Sequence, residues 1–286
     1  MVRSRFGLGA RTSLDAPGPV GEPHVSDADA DAGDGGDGGR AAVTGGLAGT
    51  ALLAGIVLLG GCVQWLTGMG FALVAVPALV LVLGPAEGVV LANCAAGAIS
   101  VVGLANGWRR VRLKAMVPLC VAAVCTVPAG TWVARRLCEP ALLACMGVLV
   151  TVAVLLVMCG ARVAALRGGG GAVVAGGAGG FMNSAAGVGG PPVSLYALNA
   201  GWSVREFVPN AQFYSVIVNA VSVASNGVPR LSPPLWALAS AALAAGALIG
   251  RTLAEHVPEK RARLLVLLLA LAGGSITLGK GVAGLA

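Results

Sequence analysis

The sequence predicts an all-α polytopic membrane protein of about eight transmembrane helices in two four-helix repeats, the first helix of each repeat being broken at a Gly-rich segment. Three observations predict it. Hydrophobic residues make up 57% of the 286 and charged residues only 11%, with a mean hydropathy of +0.87, and a water-facing surface could not be covered with so few charges. The apolar residues are grouped in runs of about 20, which matches the hydrocarbon core of a bilayer. The two halves of the chain also match each other in their glycines and polar residues. With 45 glycines, the chain is rich in the small residues that let embedded helices approach closely.

Residues 1–42 stand outside this pattern. They hold seven of the twelve acidic residues, including the run DADADAGDGGDGG from Asp27 to Gly39, and this composition predicts a disordered acidic, Gly-rich tail. The run has no glutamate closing a calcium loop. No apolar core directly follows Arg3, Arg5 and Arg11, so a cleaved signal peptide is not expected. The first repeat covers 43–160, a Gly-rich linker 161–171, and the second repeat 172–286. Apolar segments fall near 43–83, 86–107, 115–134, 139–160, 172–202, 206–226, 234–254 and 262–281. The first and fifth are too long for one plain helix and are interrupted, at Gly68-Met69-Gly70 and at Gly187-Val188-Gly189-Gly190-Pro191-Pro192.

A shift of 119 residues lays Gly68 on Gly187 and Gly70 on Gly189, and Ala78, Leu79 and Glu87 on Ala197, Leu198 and Glu206. One further residue of shift aligns Asn106-Gly107 with Asn226-Gly227, and Gly130 and Ala134 with Gly250 and Ala254. Four crossings per half, an even number, predicts repeats of the same orientation about an axis along the membrane normal, unless a re-entrant segment changes the count.

Beyond the tail the chain carries fifteen Lys and Arg against five Glu, a formal +10. These charges sit in short loops, not on one stripe, so they are topology signals and nucleic acid is not an expected partner. Arg109, Arg110, Arg112 and Lys114 follow the second span, and Arg162 and Arg167 the fourth. Placing those loops inside predicts a multi-pass plasma-membrane protein with both termini cytoplasmic, so that a reporter after Ala286 would read as cytoplasmic. The seven cysteines match no zinc or disulfide framework.

An unwound stretch inside lipid survives only where it is buried in protein or lines a cavity. The two breaks therefore predict a central site. Glycines at Gly68, Gly70, Gly187, Gly189 and Gly190 admit a solute to the backbone, and each resumed helix aims free N–H groups and its positive end at that point, which favours an anion. Pro191 and Pro192 suit a first helical turn. Under the repeat, Gln64 pairs with Asn183, Asn93 with Gln212, and Ser100 with Asn219. The step of seven from Asn93 to Ser100, and again from Gln212 to Asn219, returns to nearly one helix face. These neutral amides and hydroxyls, with Thr67 and Ser184 nearer the breaks, are candidate solute ligands. Interhelical hydrogen bonding is the competing role for each of them. Ser194, also near the breaks, could add a hydroxyl donor, and Tyr196, Asn199 and Tyr214 are weaker candidates. Glu87 and Glu206 sit where carboxylates complement helix starts.

The predicted spans contain no His, no Asp, and no Glu away from a helix start. A metalloenzyme or a His-dependent hydrolase lacks its parts, so no metal, cofactor or catalytic residue is expected.

The Gly187–Pro192 motif, followed by Tyr196 and Asn219, together with the weaker Gly68-Met69-Gly70 and Pro77, resembles the sulfite exporter TauE/SafE family of membrane permeases over about residues 45–285. The resemblance implies two similar four-helix halves and transport of sulfite, sulfonates or related organosulfur anions. The first break reads GMGFA where the family has a longer glycine run, and Phe71 and Ala72 would narrow the approach on that side. The expected function is an alternating-access permease for a small anion held between two broken helices. The alternative is a non-transporting membrane partner subunit of a complex. A homo-oligomer is left open.

Overall fold

The computed structural model describes residues 46–105, 107–160, 168–254 and 256–286. The tail 1–42, the linker residues 161–167 and Asn106 lie outside them. Among the described residues there are ten α-helices and no strand: α1 (Leu47–Thr67), α2 (Phe71–Leu83), α3 (Pro85–Ala105), α4 (Leu113–Arg136), α5 (Glu139–Met158), α6 (Gly168–Ala186), α7 (Gly190–Asn199), α8 (Val204–Asn226), α9 (Pro233–Ala254) and α10 (Glu259–Ala283). Six of them (α1, α3, α4, α5, α9 and the stretch Leu264–Ala283 of α10) are long and apolar enough to cross a membrane. The protein is a polytopic helical membrane protein. Residues 168–171, expected in the linker, belong to α6.

Helical hydrogen bonding stops where the glycines predict. α1 ends on Gly68 at φ +81° and α6 on Gly187 at φ +69°, left-handed conformations that glycine adopts without a Cβ penalty. Each amide closes the same bond, Gly68 N–H donating to Gln64 O at 2.8 Å and Gly187 N–H to Asn183 O at 2.9 Å. The resumed helices start on Gly70 and Gly189, both in right-handed conformation.

The chain reverses after each break. α2 folds back on α1, with Gly60 facing α2 so closely that a Cβ there would lie 3.0 Å from that of Ala75. At 1.5 Å of rise per residue, a helix running on past Gly70 would carry residue 75 far from residue 60. α2 then reverses into α3 through the single residue Gly84, at φ +86°, with Gly88 against Leu79 and Val80. α6 and α7 form the corresponding hairpin, Gly189 lying against the Gly179 carbonyl. The predicted count of eight crossings, which took each broken segment as one crossing, is therefore not met.

Glycine contacts fix the other directions. α9 runs parallel to α1, Gly246 packing on Leu58 and Gly250 on Cys62, and α6 runs parallel to α4, Gly176 on Leu119 and Gly180 on Ala123. α8 opposes α3 through Gly97–Asn219 and Gly103–Gln212, and α10 opposes α5 through Gly274–Val150 and Gly281–Ala144. The ten helices thus alternate in direction. With five helices in each half, counterparts run in opposite senses, contrary to the same-orientation expectation, because each break adds a reversal.

The same alternation corrects the predicted topology. The last turn of α10 meets the start of α5 at Gly284–Pro140, on the face where Arg135 donates to Ser225 O at 2.7 Å. Arg112 is on the other face, paired with Glu206 at 3.1 Å. The C-terminal end and the Arg109–Lys114 segment cannot both be cytoplasmic.

Candidate functional site

The two hairpins enter from opposite faces and their tips touch. Met69, in the first break, packs on Gly190, where a Cβ would lie 3.3 Å from Met69 Cγ, and Val76 of α2 packs on Gly187. Hairpins arriving from opposite sides can meet only in the interior.

Behind the tips runs a buried polar network carried by α1, α3, α6 and α8. Gln64 Nε2 donates to Ser100 Oγ at 3.2 Å, and Ser100 Oγ donates to Ser215 Oγ at 2.9 Å. Asn219 Nδ2 also donates to Ser215 Oγ, at 2.8 Å. Asn183 Nδ2 faces three acceptors, Asn219 Oδ1 and Ser222 Oγ at 3.0 Å and Asn93 Oδ1 at 3.3 Å. Every member is at least 94% buried. The bonds Gln64 to Ser100 and Asn183 to Asn219 fall on positions that the sequence repeat pairs.

Gln64 has a second task, since its Oε1 accepts the Phe71 N–H at 2.9 Å. An orphan donor of the α2 start is thereby satisfied from within the protein. At the α7 start, Pro191 and Pro192 bring no N–H. Fewer backbone donors are free at the breaks than the glycines alone suggest.

In front of the tips lies a cavity of about 170 Å³. Thr67, Gly70 and Pro191 line it from the breaks, with Ser194 one turn further on. Most of the remaining lining is apolar, from α2, α5, α7, α8, α10 and the α7–α8 connection. Thr67 Oγ1 donates to Val63 O at 2.9 Å, so its free face is an acceptor.

A comparison with protein-family models matches residues 52–276 to the sulfite exporter TauE/SafE family. The chain belongs to the TauE/SafE family. No curated protein and no solved structure matches it. TauE/SafE is a family of sulfite-exporter-type membrane permeases, which makes the chain a membrane transport protein. Among the described residues no group of His, Cys, Asp and Glu is placed to hold a metal.

The residues expected to serve this TauE/SafE chain separate into distinct places. Thr67, Gly70 and Pro191 line the cavity. Gly68, Gly187, Gly189 and Gly190 shape the breaks without lining it. Gln64, Asn93, Ser100, Asn183 and Asn219 are gathered together but bond to one another. Ser184 Oγ donates to Val127 O at 2.8 Å and fastens α6 to α4. Gln212 lies against Gly103, and its buried Oε1 has no partner. Of the lesser candidates, Tyr196 packs edge-on against Trp202, while Tyr214 donates to Gly176 O at 3.2 Å. Sequence reasoning missed Ser215 and Ser222, although 212, 215, 219 and 222 repeat at the three-and-four spacing of one helix face. It also missed Leu73, Val157, Trp202 and Phe207, which carry no signal separating a cavity wall from ordinary core.

Proposed function

We propose that the protein is an anion permease whose solute, a sulfite, sulfonate or related organosulfur anion, binds at mid-membrane where the two hairpin tips meet. The contact of Met69 with Gly190 carries the proposal, because it joins the positive ends of two resumed helices beside a cavity. The solute would sit between Gly70 and Pro191. The polar network would hold the tips in register and not ligate the solute directly.

The proposed membrane architecture is six full crossings (α3–α5 and α8–α10) with two hairpins, α1–α2 and α6–α7, entering from opposite faces. The halves would then be inverted repeats about an axis in the membrane plane. Support comes from the exchange of partners between halves. α1 packs on α9 as α6 packs on α4, and the Gly61–Leu243 and Gly180–Ala123 contacts fall on paired positions. Alternating access would rock these interlocked bundles about the touching tips.

Orientation in the plasma membrane follows from charge. Nine Lys and Arg (Arg109, Arg110, Arg112, Lys114, Arg205, Arg251, Lys260, Arg261 and Arg263) belong to connections or helix ends on one face. Arg135, Arg136, Arg230 and Lys280 belong to the other, where α1 begins and α10 ends. The positive-inside rule makes the first face cytoplasmic and both ends of the helical body external.

Flux of radiolabelled sulfite and methanesulfonate into liposomes carrying the purified protein tests the function. Gly190→Leu, whose Cβ would have the flexible Met69 side chain as its nearest neighbour, is expected to stop flux while the protein stays monodisperse. Unaltered flux in that variant would remove the tip site. Gly189→Leu is the poorer probe, since its Cβ would come within 2.7 Å of the Gly179 carbonyl and disturb the hairpin itself.

A further inference from the structure

We infer that the cavity takes a singly charged organic anion with an apolar substituent, in preference to bare sulfite, sulfate or a doubly charged sulfocarboxylate. The inference rests on the permease function proposed above and narrows its solute. The polar groups lining the cavity are few, Thr67, Gly70 and Ser194, beside the starts of α2 and α7. Leu73, Val154, Val157, Trp202, Phe207 and Val266 supply much of the remaining wall. Among the described residues no Lys, Arg or His lines the cavity. Two helix starts and a few neutral groups can compensate about one negative charge, whereas a second charge left without a partner in such a site is strongly disfavoured.

Size points the same way. A cavity of about 170 Å³ exceeds what a small inorganic oxyanion fills. Apolar-lined cavities of about 150 Å³ accommodate a benzene ring. A bare anion would leave the apolar walls without contacts, while a propyl, butyl or phenyl group would cover them.

Equilibrium binding to the full-length purified protein, with methane-, propane-, butane- and benzenesulfonate alongside sulfite and sulfate as probes, tests this. Affinity is expected to rise about fourfold per added methylene until the cavity is full. Butanesulfonate should then bind at least tenfold tighter than sulfite. Val157→Thr, which keeps the volume and adds a hydroxyl, should flatten the chain-length dependence. A flat series, or sulfite binding as tightly as butanesulfonate, would overturn the inference and leave the anion permease standing. Failure of every probe to bind would remove both.

Discussion

Asn183 is the densest node of the polar network, and its replacement by leucine measures what the network contributes. Its Nδ2 carries two hydrogens and faces three acceptors on two other helices, Asn93 on α3 and Asn219 and Ser222 on α8. Leucine is close in volume, so packing changes little and the effect is mostly polar. Two hydrogen bonds in a membrane interior contribute on average about 0.6 kcal/mol each and at most about 1.7. The acceptors left buried add about 1–3 kcal/mol for each that finds no new partner. Ser222 Oγ can turn to a backbone carbonyl, but the amide oxygens of Asn93 and Asn219 cannot donate, so the expected loss is about 2–4 kcal/mol. Asn93→Leu removes one long bond at 3.3 Å and a marginal one at 3.5 Å to Asn183 O, and is expected to cost about 1 kcal/mol. Reversible unfolding in mixed micelles by SDS titration, followed by tryptophan fluorescence, gives both values. The double variant Asn183→Leu/Asn219→Leu should be less than additive because the pair shares a bond. An Asn183→Leu protein within about 0.5 kcal/mol of the parent, or no worse than Asn93→Leu, would refute the reasoning.

Gln212→Met should leave unfolding stability unchanged or slightly raised, because the Oε1 it removes is buried without a partner. A loss above about 1 kcal/mol would mean that the amide is satisfied after all. Gly246→Val should destabilise by about 1–3 kcal/mol in the same titration, since its Cβ would overlap the Leu58 carbonyl where α9 crosses α1. Wild-type stability in that variant would argue against the parallel α1–α9 packing. Cys138 and Cys159 are exposed at opposite ends of α5. In variants retaining one or the other, a membrane-impermeant maleimide added to intact cells is expected to label Cys138 alone, and labelling of Cys159 alone would invert the orientation.

The sequence by itself determined where helical hydrogen bonding stops. A glycine pair inside a long apolar run, followed in the second half by two prolines, can be neither continuous helix nor lipid-exposed coil. It also marked part of the polar network, since Asn93 and Ser100 recur at seven on an otherwise apolar helix and the repeat paired Gln64–Ser100 with Asn183–Asn219, but not that Ser215 and Ser222 would join them or that Gln212 would stand apart. Only the tertiary structure decided which way the chain leaves each break. A left-handed glycine permits a bend, but its direction is set by what packs across it, here Phe71 and Ala75 against Gly60, contacts between residues that no local pattern links. That single reversal, made twice, turned four crossings per half into five helices, inverted one half against the other, and moved the C-terminal end to the face opposite Arg109–Lys114. Which neighbours an amide bonds to was likewise decided in three dimensions. A donor's partner depends on which helices lie within about 3 Å of it, and for Asn183 those helices bring three acceptors of their own.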